Sequence, residues 1–159
     1  MYLCLIEVQK LPYKVSHGKA VQVTYSSDEV FSRIKHEGIQ FIDLQFTGLT
    51  GHFHHTTISA DTFTPDQMKD GLPKLDGSSI IGFTSIQDSD LLLKPDPNTF
   101  AIIPWLTENK TARLLCDVYW GGNRGRLESD PRGISQKAEE YIKTQGFDFS
   151  TWGPEVEFF

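Results

Sequence analysis

The chain has 159 residues, room for one ordinary domain or one domain and part of a second, and its 38% hydrophobic, 12% aromatic and 23% charged content is that of a folded globular protein. A formal net charge of −6 argues against a nucleic-acid or anionic-membrane partner, because either would favour a basic patch. No run of about 18 apolar residues exists to span a bilayer, and the opening MYLCLIEVQK is too short and wrongly flanked for a secretory signal, so the chain reads as cytoplasmic.

Residues 1–22 show no clear period and read as an unplaced N-terminal extension, with Val23 to Ser26 a plausible natural start. Ser26 followed three residues later by Glu29 is a capping box. It opens a helix that carries Val30, Phe31 and Ile34 on one face and closes at Gly38. From Ile39 to Phe46 the period changes to two: Ile42, Leu44 and Phe46 point one way, Phe41, Asp43 and Gln45 the other. A turn at Thr47 to Gly51 and a strand from His52 to Ile58 complete a hairpin. His52, His54 and His55 on that strand read as a solvated face, since no Cys, Asp or Glu within it completes a metal site. Asp61 to Gly71 is helix-like, with Thr64 as N-cap and Pro65 in the first turn.

Leu75 to Asp90, LDGSSIIGFTSIQDSD, packs Gly77, Gly82, paired serines and the carboxylates of Asp76, Asp88 and Asp90 into a short stretch. Small hydroxyls beside carboxylates can bind a small cation, and the same composition makes an ordinary solvated turn. Leu91 to Leu93 are apolar, and Lys94-Pro95-Asp96-Pro97-Asn98 forces a turn. Thr99 to Trp105 and Ala112 to Trp120 read as strands, and Gly121 to Gly125 as a loop without a phosphate-cradling signature. Asp130 and Pro131 open a second helix with Ile134, Ala138, Tyr141 and Ile142 as its apolar stripe and Gly146 at its end. Phe147 to Phe159 reads as a mostly buried strand that ends abruptly, as in a truncated chain. Cys4 and Cys116, in apolar strand-like settings, read as buried free thiols.

On that last strand Glu155 and Glu157 face the same side, roughly 6.5–7 Å apart at the backbone. Paired oxygen donors of this kind suit hard divalent cations such as magnesium or manganese.

The ordered series LDGSSIIGF…QDSDLLLKPDP, AIIPW, SDPRGISQKA and WGPEVEFF, with EGIQFIDLQFTGLTGHFHHTTI before it, resembles the N-terminal part of the bacterial and archaeal glutamine synthetases from about Ser26 to Phe159. The resemblance implies an α+β chain: a β-grasp N-terminal domain over 23–127 and, over 128–159, the first helix and strand of a catalytic domain. It implies ATP-dependent ligation of ammonia to glutamate through γ-glutamyl phosphate, in stacked hexameric rings that form a dodecamer. Asp76 would draw in ammonium and take its proton, Ser79 would line the ammonium pocket, and Asp90 would support the loop. Glu155 and Glu157 would each ligate one of two Mg2+ or Mn2+ ions. Active sites formed between subunits would keep Asp76 away from Glu155 and Glu157 of its own chain, so the 159 residues alone would be inactive. A relative ligating glutamate to an amine, and a non-catalytic β-grasp binding module, are the competing expectations; the intact Asp76-Gly77-Ser78-Ser79 favours ammonia over an amine.

Overall fold

The computed structural model describes residues 24–157 in full and, as backbone, a short hairpin of strands β1 (Tyr13–Ser16) and β2 (Lys19–Gln22) paired with each other. Cys4, Phe158 and Phe159 lie outside the described residues. The hairpin falls where the sequence shows no period.

Helix α1 (Ser27–Glu37) begins as its capping box requires. Ser26 Oγ accepts from the Glu29 amide, and the Glu29 carboxylate accepts from the Ser26 amide at 2.8 Å. Gly38 ends it in the left-handed region with φ of 65°. Strands β3 (Phe41–Thr47) and β4 (Phe53–Ser59) form the expected antiparallel hairpin. Between Ala60 and Gly71 the chain departs from a single helix. A 3₁₀ turn at Ala60–Thr62 is followed by α2 (Pro65–Asp70), with Phe63 between them inserted against Phe31 at a ring separation of 5.3 Å. Pro65 disfavours helical geometry at Thr64, so the break falls there and Thr64 caps the second piece.

Two strands are missing from the sequence reading. β5 (Leu72–Asp76) and β6 (Asp90–Pro95) flank the Gly77–Ser89 loop and pair antiparallel. The long strand expected over Thr99–Trp105 shrinks to β7 (Ala101–Ile102). A 3₁₀ turn at Pro97–Thr99 and the ring of Pro104 confine it. β8 (Thr111–Trp120) is the central strand. It runs parallel to β3, antiparallel to β6 and β7, and gives the sheet order β4-β3-β8-β6-β5 with β7 beside β8.

One face of this curled sheet makes the core. Ile42, Leu44, Leu91, Leu93, Leu114 and Val118 from the three central strands β3, β6 and β8 are buried with Val30 of α1. Such side chains each contribute on the order of 2 kcal/mol by leaving water. Cys116 is buried among them, and burial pushes its thiol pKa well up. The opposite face of β3 holds a polar cluster: buried Asp43 accepts hydrogen bonds from Gln45 Nε2, Thr57 Oγ1 and His55 Nδ1 at 2.7–2.8 Å. The histidines therefore divide. His55 joins Asp43, while His52 and His54 share the other face, where His54 stacks on Phe46 at 5.3 Å. Burial and the neighbouring His52 hold the His54 pKa below the ordinary histidine value.

Helix α3 (Pro131–Thr144) is joined to the sheet through its first turn. Asp130, 1% exposed, accepts from the Val118 amide, the Arg132 amide and Arg126 Nε and Nη2. Arg126 and Arg132 both reach Asp117, and Arg132 reaches Asp96 at 2.5 Å. Arg126 also donates to Gln136 Oε1. Gly133 makes this possible, because a Cβ there would lie 2.5 Å from Arg126 Nε. Beyond that turn the stripe the sequence marks as apolar is uncovered, with Ile134 and Tyr141 exposed. The strand expected from Phe147 onward does not form in the described residues. Residues 151–157 are exposed coil, because no neighbouring strand takes up their backbone hydrogen bonds. Among the described residues no helix is long and apolar enough to cross a membrane.

Candidate functional site

The Asp-Gly-Ser-Ser sequence folds as a 3₁₀ turn, Gly77–Ser79, at the end of β5. Asp76 caps it: Oδ1 accepts from the Ser78 amide at 2.9 Å and from Ser78 Oγ at 2.7 Å, and Oδ2 accepts from Ser79 Oγ at 3.2 Å. The Ser78 hydroxyl and amide, with help from Ser89 and Ser79, hold the Asp76 carboxyl below the ordinary aspartate value against the opposing effect of desolvation. Asp76 is thus firmly ionised, and it stays exposed. Gly77 beneath it is buried, and a Cβ there would sit 2.4 Å from Thr84 Oγ1 and 2.6 Å from Leu91 Cδ1, so the turn requires glycine for close approach.

Asp90 lies directly opposite Asp76 in the β5–β6 register. Residues so paired put their side chains on one side of the sheet about 5 Å apart, where two like charges repel. The pair lines a surface cleft with Lys74, Gly121 and Gly122. Like charges held opposite each other on an exposed edge make a place that a cation stabilises.

The loop between the two aspartates is pinned by its apolar residues. Ile80 and Phe83 are buried, and Phe83 approaches Phe46 at 6.2 Å. Gly82, with φ of 82°, passes so close to Leu49 in the β3–β4 turn that a Cβ would lie 2.4 Å from Leu49 Cδ1. Ser79 also lines a second, smaller depression shared with His52 and His54.

The structure therefore brings Asp76, Ser79 and Asp90 together. Glu155 and Glu157 sit elsewhere, in exposed coil after α3, and none of the loop's hydrogen bonds reaches them. Among the described residues no group of three or more His, Cys, Asp or Glu is placed to hold a metal ion. One residue of the site escaped the sequence reading. Arg124 makes paired hydrogen bonds to Asp88 at 2.6 and 2.8 Å and lies over the Trp120 ring at 4.5 Å. An arginine inside a Gly-Gly-Asn-Arg-Gly turn that follows a tryptophan was the available signal, but its acidic partner stands 36 residues earlier.

Sequence comparison agrees with the fold. The family model described as the glutamine synthetase β-grasp domain matches residues 38–121. The glutamine synthetase of Sulfolobus acidocaldarius is 49% identical over 131 residues, covering 82% of this chain and 27% of that protein. The glutamine synthetase of Aquifex aeolicus is 43% identical over 136 residues, covering 85% of this chain and 29% of that protein. The solved structure of Plasmodium falciparum glutamine synthetase superposes with a TM-score of 0.68 at 23% identity, over 78% of this chain and 24% of that one, a likeness of fold. A curled mixed sheet with a capped helix on its core face defines a β-grasp domain. The chain belongs to the glutamine synthetase family and carries that family's β-grasp domain. It spans between a quarter and a third of the length of these curated relatives.

Proposed function

We infer that this chain is the N-terminal part of an enzyme that ligates ammonia to glutamate at the expense of ATP, through γ-glutamyl phosphate, and that the Asp76 loop is its ammonium-handling element. The observation that carries this is the opposed pair Asp76 and Asp90, one of them held ionised by serine donors. A depressed carboxyl is well suited to gripping a cation and poorly suited to keeping a proton. Asp76 therefore acts first as the anion that draws ammonium to the site and orients it, and passes on the proton it receives. Ser79, donating to Asp76 Oδ2, fixes the carboxylate and lines the pocket. Asp90 holds the loop's second end beside it through the β5–β6 register.

In this reading the β-grasp domain occupies 23–127 and the start of the catalytic domain 128–159. The full enzyme is a homo-oligomer of stacked hexameric rings in the cytoplasm, with active sites between subunits. Divalent magnesium or manganese, when bound, neutralises the transferring phosphoryl group. The carboxylates of Glu155 and Glu157 have the right chemistry for such ions. Two exposed carboxylates do not by themselves make a complete ligand set.

The test is glutamate-dependent phosphate release by the full-length protein, with ammonium and methylamine compared as acceptors. Ammonium is expected to be strongly preferred, and Asp76→Asn is expected to lower kcat/KM for ammonium by about a hundredfold, the scale of removing one positioned charged group. Equal use of methylamine would replace this reading with an amine ligase. Absence of turnover with either acceptor would leave the chain as a binding module.

A further inference from the structure

We propose that Arg124 is a positioning residue for the Asp76 loop: it acts as a brace that fixes the loop's free end and thereby sets where Asp76 presents its carboxylate to ammonium. The proposal rests on the ammonium-site reading above and goes beyond it in naming what holds that site in shape.

The loop has two kinds of anchor. Its first half is held by apolar burial of Ile80 and Phe83 and by the Leu49 contact. Its second half has no buried apolar residue between Phe83 and Leu91, and Ile86 is 77% exposed. What ties that half down is polar. Arg124 Nη1 and Nη2 donate to the two carboxylate oxygens of Asp88, and Arg124 Nε donates to the Gly121 carbonyl at 3.0 Å. The Gly121 amide in turn donates to the Asp90 carbonyl at 2.9 Å, and the Gly77 amide to the Ser89 carbonyl at 2.8 Å. Hydrogen bonds at Asp88, Ser89 and Asp90, three consecutive residues joined by their backbone, thus tie Arg124 and its turn to the turn that follows Asp76.

The arginine is itself held rigidly. It sits in a turn whose Gly122, Asn123 and Gly125 all have positive φ, at 68°, 59° and 98°. Asparagine is one of the few side-chain-bearing residues that tolerates that region, so the turn is specified rather than incidental. The guanidinium plane lies over Trp120, whose Nε1 donates to Glu128 at 3.0 Å. Only arginine can make two parallel bonds to a carboxylate while stacking on an aromatic ring. Asp88 hydrogen bonding, together with the nearby charges of Asp90 and Glu128, favours the cationic guanidinium. Both members of the pair are about half exposed, so the fold does not depend on them.

The experiment uses the full-length protein and has two readouts. In hydrogen exchange, Arg124→Ala is expected to speed exchange of amides 84–90 while leaving β3 and β8 protected. In steady-state kinetics, it is expected to raise KM for ammonium roughly five- to tenfold, a modest displacement of one positioning group, with KM for ATP and glutamate moved less than about twofold. Arg124→Lys should recover only part of the loss, and the exchanged pair Asp88→Arg with Arg124→Asp should recover more than either single variant. An unchanged ammonium KM, an equal rise in all three KM values, or an exchanged pair no better than the single variants would overturn the proposal. Should the unmodified protein show no ammonium-dependent turnover, the ammonium-site reading falls, and the role of Arg124 in presenting Asp76 to ammonium falls with it. The exchange readout then decides separately whether Arg124 braces the loop: unchanged exchange of amides 84–90 in Arg124→Ala would overturn the brace itself.

Discussion

Two sets of arginine–aspartate contacts leave the same end of β8 and do opposite jobs. Arg126 and Arg132 turn inward to Asp96, Asp117 and Asp130, where the side chains are at most about a quarter exposed. Arg124, two residues from Arg126, turns outward to Asp88 in solvent. Burial decides what each can be for. A buried ion pair loses much of its Coulomb gain to desolvation, yet breaking it strands a charge and is costly. An exposed pair contributes little to stability and is free to set geometry. The inner network therefore fixes α3 on the sheet, and the outer pair shapes a loop.

The sharpest way to break this comparison is Asp130→Ala. That carboxylate accepts from two arginine nitrogens, from the Val118 amide and from the first turn of α3, and it is almost wholly buried. Its removal is expected to cost at least about 3 kcal/mol, measured as a shift of the urea midpoint, because the Arg126 guanidinium, the buried Val118 amide and the Arg132 amide lose their partner together. A loss below about 1 kcal/mol would mean that the network does not hold the helix. Arg132, whose guanidinium Asp96 and Asp117 keep cationic against its own burial, should then show the same loss in Arg132→Ala.

Asp43 tests whether burial alone, without an arginine, gives a carboxylate structural weight. Burial pushes its pKa up, but hydrogen bonds from Gln45, His55 and Thr57 outweigh it, and the net position is below the ordinary aspartate value. A carboxyl depressed in the folded state stabilises fully above its unfolded value and loses that contribution as pH falls through its folded one. Asp43→Asn is therefore expected to cost about 2 kcal/mol at neutral pH. Chemical denaturation as a function of pH should show the gap closing below about pH 4. A pH-independent gap would assign the loss to packing instead.

What the sequence discloses follows the range of each interaction. The caps at Ser26 and Thr64 and the alternation along β3 involve residues within four positions, and they appear as read. β5 and β6 escape because each is short and finds its partner across the Gly77–Ser89 loop. The inner network escapes because Arg132 and Asp96 stand 36 residues apart, as do Arg124 and Asp88. Glu155-Val156-Glu157 alternates like a strand, but alternation specifies a face only once a neighbouring strand exists, and the described residues supply none. At the site, Asp76, Ser79 and Asp90 were legible as chemistry. Their register, which sets the two carboxylates opposite each other, was not.

The smallest expected effect on stability is the most telling for the comparison. Arg124→Ala should leave the melting temperature unchanged to within about 1 °C, since an exposed pair adds little to the fold. Salt gives the same contrast without mutation. The Arg124–Asp88 pair faces solvent and is screened at 1 M, where the Debye length is about 3 Å, whereas the network around Asp130 is shielded by the protein itself. Raising sodium chloride to that level should therefore speed amide exchange in 84–90 and leave the exchange of the first turn of α3 unaltered. Equal sensitivity of the two regions would mean that the outer contact is no more exposed in solution than the inner one. The division between a structural and a positioning arginine would then fail.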